Sequence, residues 1–303
     1  MSLHLARRRS RRASSRRTTS RTRILRSPSR WRVRSSRLSR DVRGYEQIGG
    51  GSVLAIRVAG REILGHPRDL SRANGLFVRP GGFQGWSGVA NTRRESLARA
   101  VQHGEHDTPV YLGSRVVTVD GWALAPTERE LVHLCESVSG LLASGRTKVT
   151  IDHRGQTLWA DARTTSAECD DLGSSSSPFR AEFQLQLTFA DPRRYGEEHA
   201  APLAGSARGP WVSHRGNFPA YPAIEIPNAP SDYSISSPGG TFSIAGATAG
   251  GTHTVDLRSG RVFRDGVEMI DVGRGSLWAI PPGVRWQHAL SVPGIVRVTD
   301  TYV

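Results

Sequence analysis

Residues 179–189 read FRAEFQLQLTF, and the reading of this stretch decides the fold. Phe179, Ala181, Phe183, Leu185, Leu187 and Phe189 alternate with Arg180, Glu182, Gln184, Gln186 and Thr188. A period of two over eleven residues places apolar groups on one face of a strand and polar groups on the other. Asp191-Pro192 ends the run, because proline has no N–H to donate to a ladder. A half-buried strand of this length needs sheet neighbours, so the chain is read as β-rich.

Upstream, Val53–Val58 and Arg61–Leu64 read as short strands around Ala59-Gly60, and Pro109–Leu112 and Arg115–Leu124 as two more. Leu97, Ala100 and Val101 share a face in 91–103, which predicts a short helix. A second helix is predicted over 126–144. Pro126 suits a first turn, Thr127 and Glu130 have capping-box spacing, and Gly145 is a stop. Leu131, Leu134, Cys135, Val138, Leu141 and Leu142 give it one apolar face. Val149–Ile151 and Leu158–Ala160 flank Arg154-Gly155 as a hairpin, and Ser174–Ser177 reads as a loop.

Downstream, 196–216 reads as a Gly/Ala/Pro-rich connection. Strand signals then follow at Ala223–Ile226, Thr241–Ala245, Thr252–Leu257, Arg261–Phe263, Val267–Ile270, Ser276–Ile280, Trp286–Leu290 and Gly294–Tyr302. Short, evenly spaced strands without a helix predict a β-sandwich or jelly roll. The expected organisation is a tail (1–43), an N-terminal domain (44–205) and a C-terminal domain (206–303).

The chain carries 41 basic and 27 acidic residues, a formal charge of +14, which invites a nucleic-acid reading. Sixteen arginines and a single acid, Asp41, fall within 1–43, leaving 25 basic and 26 acidic groups in 44–303. The body is therefore close to neutral. The tail has too few apolar groups to offset ordering entropy and reads as disordered. Three readings of it stand: an arm that touches phosphates, a targeting segment of transit-peptide composition, or an extension upstream of the true start. No run of 18 apolar residues suggests a membrane span, and no apolar stretch after the basic start suggests a secretory signal. Cys135 and Cys169 have no CxxC spacing, so neither a disulfide framework nor a zinc site is expected, and a reducing compartment of synthesis fits.

Chemistry-bearing motifs are sparse. His103-Gly104-Glu105-His106-Asp107 lacks the i, i+4 histidine spacing of helical metal sites and reads as a polar loop. Asp152-His153 falls at a hairpin tip, and His133 on a helix flank. There is no GxSxG elbow, phosphate loop or dinucleotide fingerprint, and Gly49-Gly50-Gly51 precedes a strand rather than a helix. No two acids stand out as a glycosidase pair. No catalytic residue, cofactor or metal is expected, and the chain is read as not an enzyme.

The order of motifs resembles the distal tail protein (Dit) family of long-tailed bacteriophages, also known as phage minor tail proteins. The resemblance rests on the helix 126–144, the strand 179–189 running into ADPRRYG at 190–196, and GNFPAYPAI at 216–224. Val255-Asp256-Leu257, Gly260-Arg261-Val262 and the Pro281-Pro282-Gly283 turn add to it. It spans roughly 53–303 and leaves the Arg-rich tail without a counterpart. It implies an N-terminal split β-barrel with a packed helix and a C-terminal galectin-like β-sandwich. It further implies a hexameric ring in the virion, at the tail tip, assembled in the host cytoplasm. Such a ring joins the tail tube protein to the tail-associated hub or fibre protein and passes phage DNA only as transiting cargo, with no membrane partner. Polar residues on the outer face of 179–189 are candidates to line its lumen. The alternative is a carbohydrate-binding module contacting host surface glycan. Trp211, Tyr221, Trp278 and Trp286 would then be the stacking residues, set against a reading of the same four as core and hinge packing.

Overall fold

Residues 54–67, 69–173, 177–204, 209 and 211–303 are described by the computed structural model. The readings of 1–43, of Gly49-Gly50-Gly51 and of residues 174–176 fall outside them. Strands β1 (Ala55–Val58) and β2 (Arg61–Leu64) form the expected hairpin, with Ala59 and Gly60 at positive φ in its turn. Next come β3 (Gly75–Gln84), the short ribbon β4 (Thr92–Arg93) and β5 (Tyr111–Leu112), and β6 (Arg115–Ala125). After helix α1 (Glu128–Ser139) come β7 (Arg146–His153), β8 (Gln156–Asp171), β9 (Phe179–Phe189) and β10 (Arg194–Ala204).

Pairing in the order β8-β7-β1-β2-β3-β6-β9, with β9 returning to β8, closes a seven-strand barrel. A closed ring needs an even number of direction reversals, so seven strands demand a parallel pair. That pair is β2–β3; the other six are antiparallel. β9 runs over the residues expected, with its apolar members facing the core. Gly121 of β6 sits opposite Phe183, where a Cβ would strike the phenyl ring and the Phe77 carbonyl, so the position must be glycine.

α1 packs on β6, β8 and β9. The Thr127 hydroxyl accepts from the Glu130 N–H at 3.3 Å, as the capping spacing predicts. A 3-10 turn, Gly140–Ser144, continues to Gly145, whose φ of 66° turns the chain. Leu131, Val138 and Leu141 are buried, whereas Leu142 lies half-exposed.

The second part comprises β11 (Trp211–Val212), β12 (Ala223–Pro227), β13 (Tyr233–Ser237), β14 (Gly240–Ile244), β15 (Thr252–Asp256) and β16 (Arg261–Arg264). β17 (Val267–Met269), β18 (Gly273–Gly275), β19 (Trp286–Gln287), β20 (Ala289–Leu290) and β21 (Pro293–Tyr302) complete it. The row β17-β16-β15-β12-β21 faces the four-stranded sheet β18-β14-β13-β20 across a core that includes Ile224, Ile226, Val255, Ile235, Phe242 and Val296. β10 pairs with β21, and Tyr195 pairs with Trp159 of β8, so one hydrogen-bonded sheet runs through both cores. Gly51–Val303 is a single compact unit.

Four expectations are corrected. Residues 91–103 hold no helix. Leu97 and Val101 have no sheet face to cover, and a short helix draws its stability from such burial. The chain folds back instead, with Arg99 N donating to Gly104 O and His106 N to Leu97 O. Much of the supposed connection 196–216 is β10. Its Ala- and Pro-rich composition hid a strand that tertiary pairing imposes, and Pro202 is tolerated because beyond Tyr195 β10 has β21 as its partner on one side only. The paired strand near Ser276–Ile280 is Gly273–Gly275, where glycine lets the backbone approach Thr241 and Phe242.

The fourth concerns the cysteines. Cys135 and Cys169 form a disulfide, with Cα atoms 5.3 Å apart and 34 residues of separation. Laying α1 across β8 brings them together, and no spacing rule reports a spatial pairing of this kind.

Candidate functional site

The turn between β9 and β10, Ala190-Asp-Pro-Arg-Arg194, reaches across to the β15–β16 turn. Asp191 is its hub. Its carboxylate accepts from Arg193 Nε at 2.8 Å and Nη2 at 3.0 Å, from the Tyr195 hydroxyl at 2.7 Å, and from Arg258 Nη2 at 3.0 Å. Arg258 Nη1 also donates to the Tyr195 oxygen at 3.1 Å. Burial, and then the bond to Asp191, raise the Tyr195 pKa, keeping the phenol protonated. Tyr195 lies against Trp159 at 4.9 Å between centroids, and the Lys148 ammonium stands 4.0 Å from the same indole.

This cluster walls a cleft of about 320 Å³, whose lining includes Tyr221 and Thr299. Arg146 pairs with Asp161 at 3.0 Å on its rim. Tyr221 is 41% exposed. Its backbone is fixed by Pro219 and Pro222 and by reciprocal bonds between Ala220 and Ile280, at 3.0 and 2.8 Å.

The four aromatic candidates do not form one platform. Trp211, 57% exposed on β11, borders a separate cleft of about 300 Å³ with His199 and Ser213. Trp286 packs half-buried against the C-terminal core. Trp278 is 4% exposed, and its Nε1 donates to His288 Nε2 at 3.2 Å, which withholds its ring from any surface ligand. Tyr221 and Trp211 are the two rings open to solvent, in different clefts.

The histidine-rich loop is an exposed turn in which Glu105 pairs with Ser96 and Arg94. Among the described residues no group of three or more His, Cys, Asp or Glu is placed to hold a metal ion. Asp152 pairs with Arg57 at 2.8 Å, and His153 packs edge-on to Phe83 at 5.4 Å. Burial, then Arg154, lower the His153 pKa. His133 borders a shallow cleft with Arg61 and Glu136.

Between β3 and β6 the chain forms an arm stitched by the β4–β5 ribbon, the fold-back at Arg99–Gly104 and a few local side-chain bonds, among them Thr108 to the Glu95 carbonyl. Val89, Leu97, Val101, Val110 and Tyr111 project from it into solvent, Val101 at 93% exposure. The Arg115 guanidinium holds the base of the arm through the carbonyls of Gly85, Trp86 and Gly88. The sequence predicts a short helix in 91–103, with Leu97, Ala100 and Val101 on one face, and a strand at Pro109–Leu112, and carries no signal for this arm.

The chain matches no protein-family model. It matches no curated protein sequence. Among solved structures it is similar to the Dit protein (gp 19.1) of SPP1, with a TM-score of 0.61 and 16% identity over 82% of this chain and 99% of that one. Two structures of the phage p2 baseplate in its activated conformation, with Sr and with Ca, give TM-scores of 0.45 and 0.41 at 8% and 7% identity. Each covers 82% of this chain, and 98% and 97% of its own. The described chain, mainly β with a closed barrel and one α-helix, has the fold of the SPP1 Dit protein.

Proposed function

We propose that this protein is a structural component of a phage tail tip, forming a hexameric ring between tail tube and hub or fibre protein. The SPP1 protein of the same fold is described as a paradigm of the hub adsorption apparatus in phages that infect Gram-positive bacteria. The observation that carries the ring reading is the apolar arm. Five large side chains standing in water on one excursion are a surface awaiting a partner, and a head-to-tail contact between copies closes into a ring. On this reading 44–205 is the ring-forming domain and 206–303 a galectin-like appendage. The near-neutral charge of 44–303 lets a polyanion slide through the channel without being gripped. Light scattering on the eluting full chain tests the reading: a mass of six chains is expected, and a single-chain mass in the presence of the tail tube and hub proteins would overturn it.

A second reading, a module that contacts host surface glycan, is favoured by the solvent-facing Tyr221, set on a fixed backbone in its polar cleft.

A further inference from the structure

We infer that the Tyr221 cleft binds a neutral, polyhydroxylated saccharide unit, with the tyrosine ring as its stacking surface; the inference rests on the second reading and is independent of ring assembly. Of the three aromatic residues lining the cleft, Trp159 is covered by Tyr195 on one side and by Lys148, and Tyr195 is tied to Asp191 and Arg258. Tyr221 is the ring left open. An aromatic face carried on a fixed backbone suits the C–H face of a pyranose, since no backbone ordering is left to be done when the ligand arrives.

Charge chooses between a neutral and an anionic sugar. Three guanidinium groups surround the cleft, but each is already ion-paired: Arg146 with Asp161, and Arg193 and Arg258 with Asp191. A phosphate or uronate would meet neutralised cations and nearby carboxylates. Vicinal hydroxyls, which both donate and accept, instead match a wall on which fixed donors and acceptors alternate. Asp256 extends that wall. Its carboxylate is oriented by bonds from the Arg258 N–H at 2.9 Å and the Ser259 hydroxyl at 2.6 Å.

Saturation-transfer NMR on the full chain tests this with three millimolar probes: galactose, N-acetylglucosamine and glycerol phosphate. Transfer to at least one neutral sugar and none to glycerol phosphate is expected. Tyr221→Ala should weaken that signal about fivefold or more, and Tyr221→Phe should retain most of it. Trp211→Ala, in the other cleft, should leave it unchanged. No transfer to either neutral sugar, transfer to glycerol phosphate alone, or wild-type binding by Tyr221→Ala would each overturn the inference. The light-scattering mass of Tyr221→Ala reads the ring separately, so the two readings fail independently.

Discussion

Arg115 and Arg194 donate to the same acceptor, the backbone carbonyl of Trp86, each at 3.0 Å. Arg115 also serves Gly85, Gly88 and Pro192, at 3.0, 2.9 and 3.0 Å, and is 2% exposed. Burial, and then the positive charge of Arg194, pull its pKa down to about 10, so it remains charged at neutral pH. One side chain thus satisfies four carbonyls from the base of the arm and the β9–β10 turn. Arg115→Met removes those donors; Trp86 keeps its bond from Arg194, while the Gly85, Gly88 and Pro192 carbonyls lose the Arg115 donor. A loss of about 3–5 kcal/mol is expected. The urea midpoint should fall at unchanged m-value.

His288 predicts a pH dependence. It is fully buried and accepts from Trp278 Nε1, which requires an unprotonated Nε2. Burial lowers its pKa from 6.5 to about 4. Because the folded value lies below the unfolded one, the unfolded chain takes up the proton first as pH falls. The stability is fully present above pH 6.5 and is lost toward pH 4, with about 3 kcal/mol at stake. In His288→Gln, whose amide oxygen still accepts, the urea midpoint should fall less steeply between pH 6.5 and 4 than in wild type.

The Cys135–Cys169 disulfide closes a loop of 34 residues by sequence separation. The chain-entropy model gives about 3–4 kcal/mol for a loop of that size. Calorimetry with and without reductant should show a melting temperature roughly 10 °C lower for the reduced chain. Cys135→Ser should match the reduced protein and be insensitive to reductant.

Leu97→Asp with Val101→Asp separates assembly from folding. Both side chains are exposed, so the melting temperature should stay within about 2 °C of wild type. If the arm joins copies, the light-scattering mass should drop to one chain. A retained six-chain mass would place the contact elsewhere.

The elements legible in the sequence are those whose period is local and unambiguous. Residues 179–189 alternate without a break and form β9 over the same residues. Thr127, Glu130 and Gly145 mark the ends of the helical segment, because capping is settled within four residues. The Arg154-Gly155 hairpin is likewise local, with both residues at positive φ. Strand β10 was hidden by its composition, and β3 and β13 gave no signal strong enough to read. β3 carries Pro80-Gly81-Gly82 at its middle, and its register with β6 shifts between Val78 and Phe83.

Sequence by itself determined that the body is β-rich, carries one capped amphipathic helix, and has its excess charge in residues 1–43 rather than in 44–303. These properties are sums or short-range periods. Barrel closure, the Cys135–Cys169 bond, the meeting of Asp191 with Arg258, and the exposure of Leu97 and Val101 were decided only by tertiary structure. Each joins residues far apart in the chain, or depends on whether a partner face lies beneath a side chain. The same i, i+3, i+4 pattern describes a buried stripe in α1 and a bare arm at 97–101; packing alone distinguishes them.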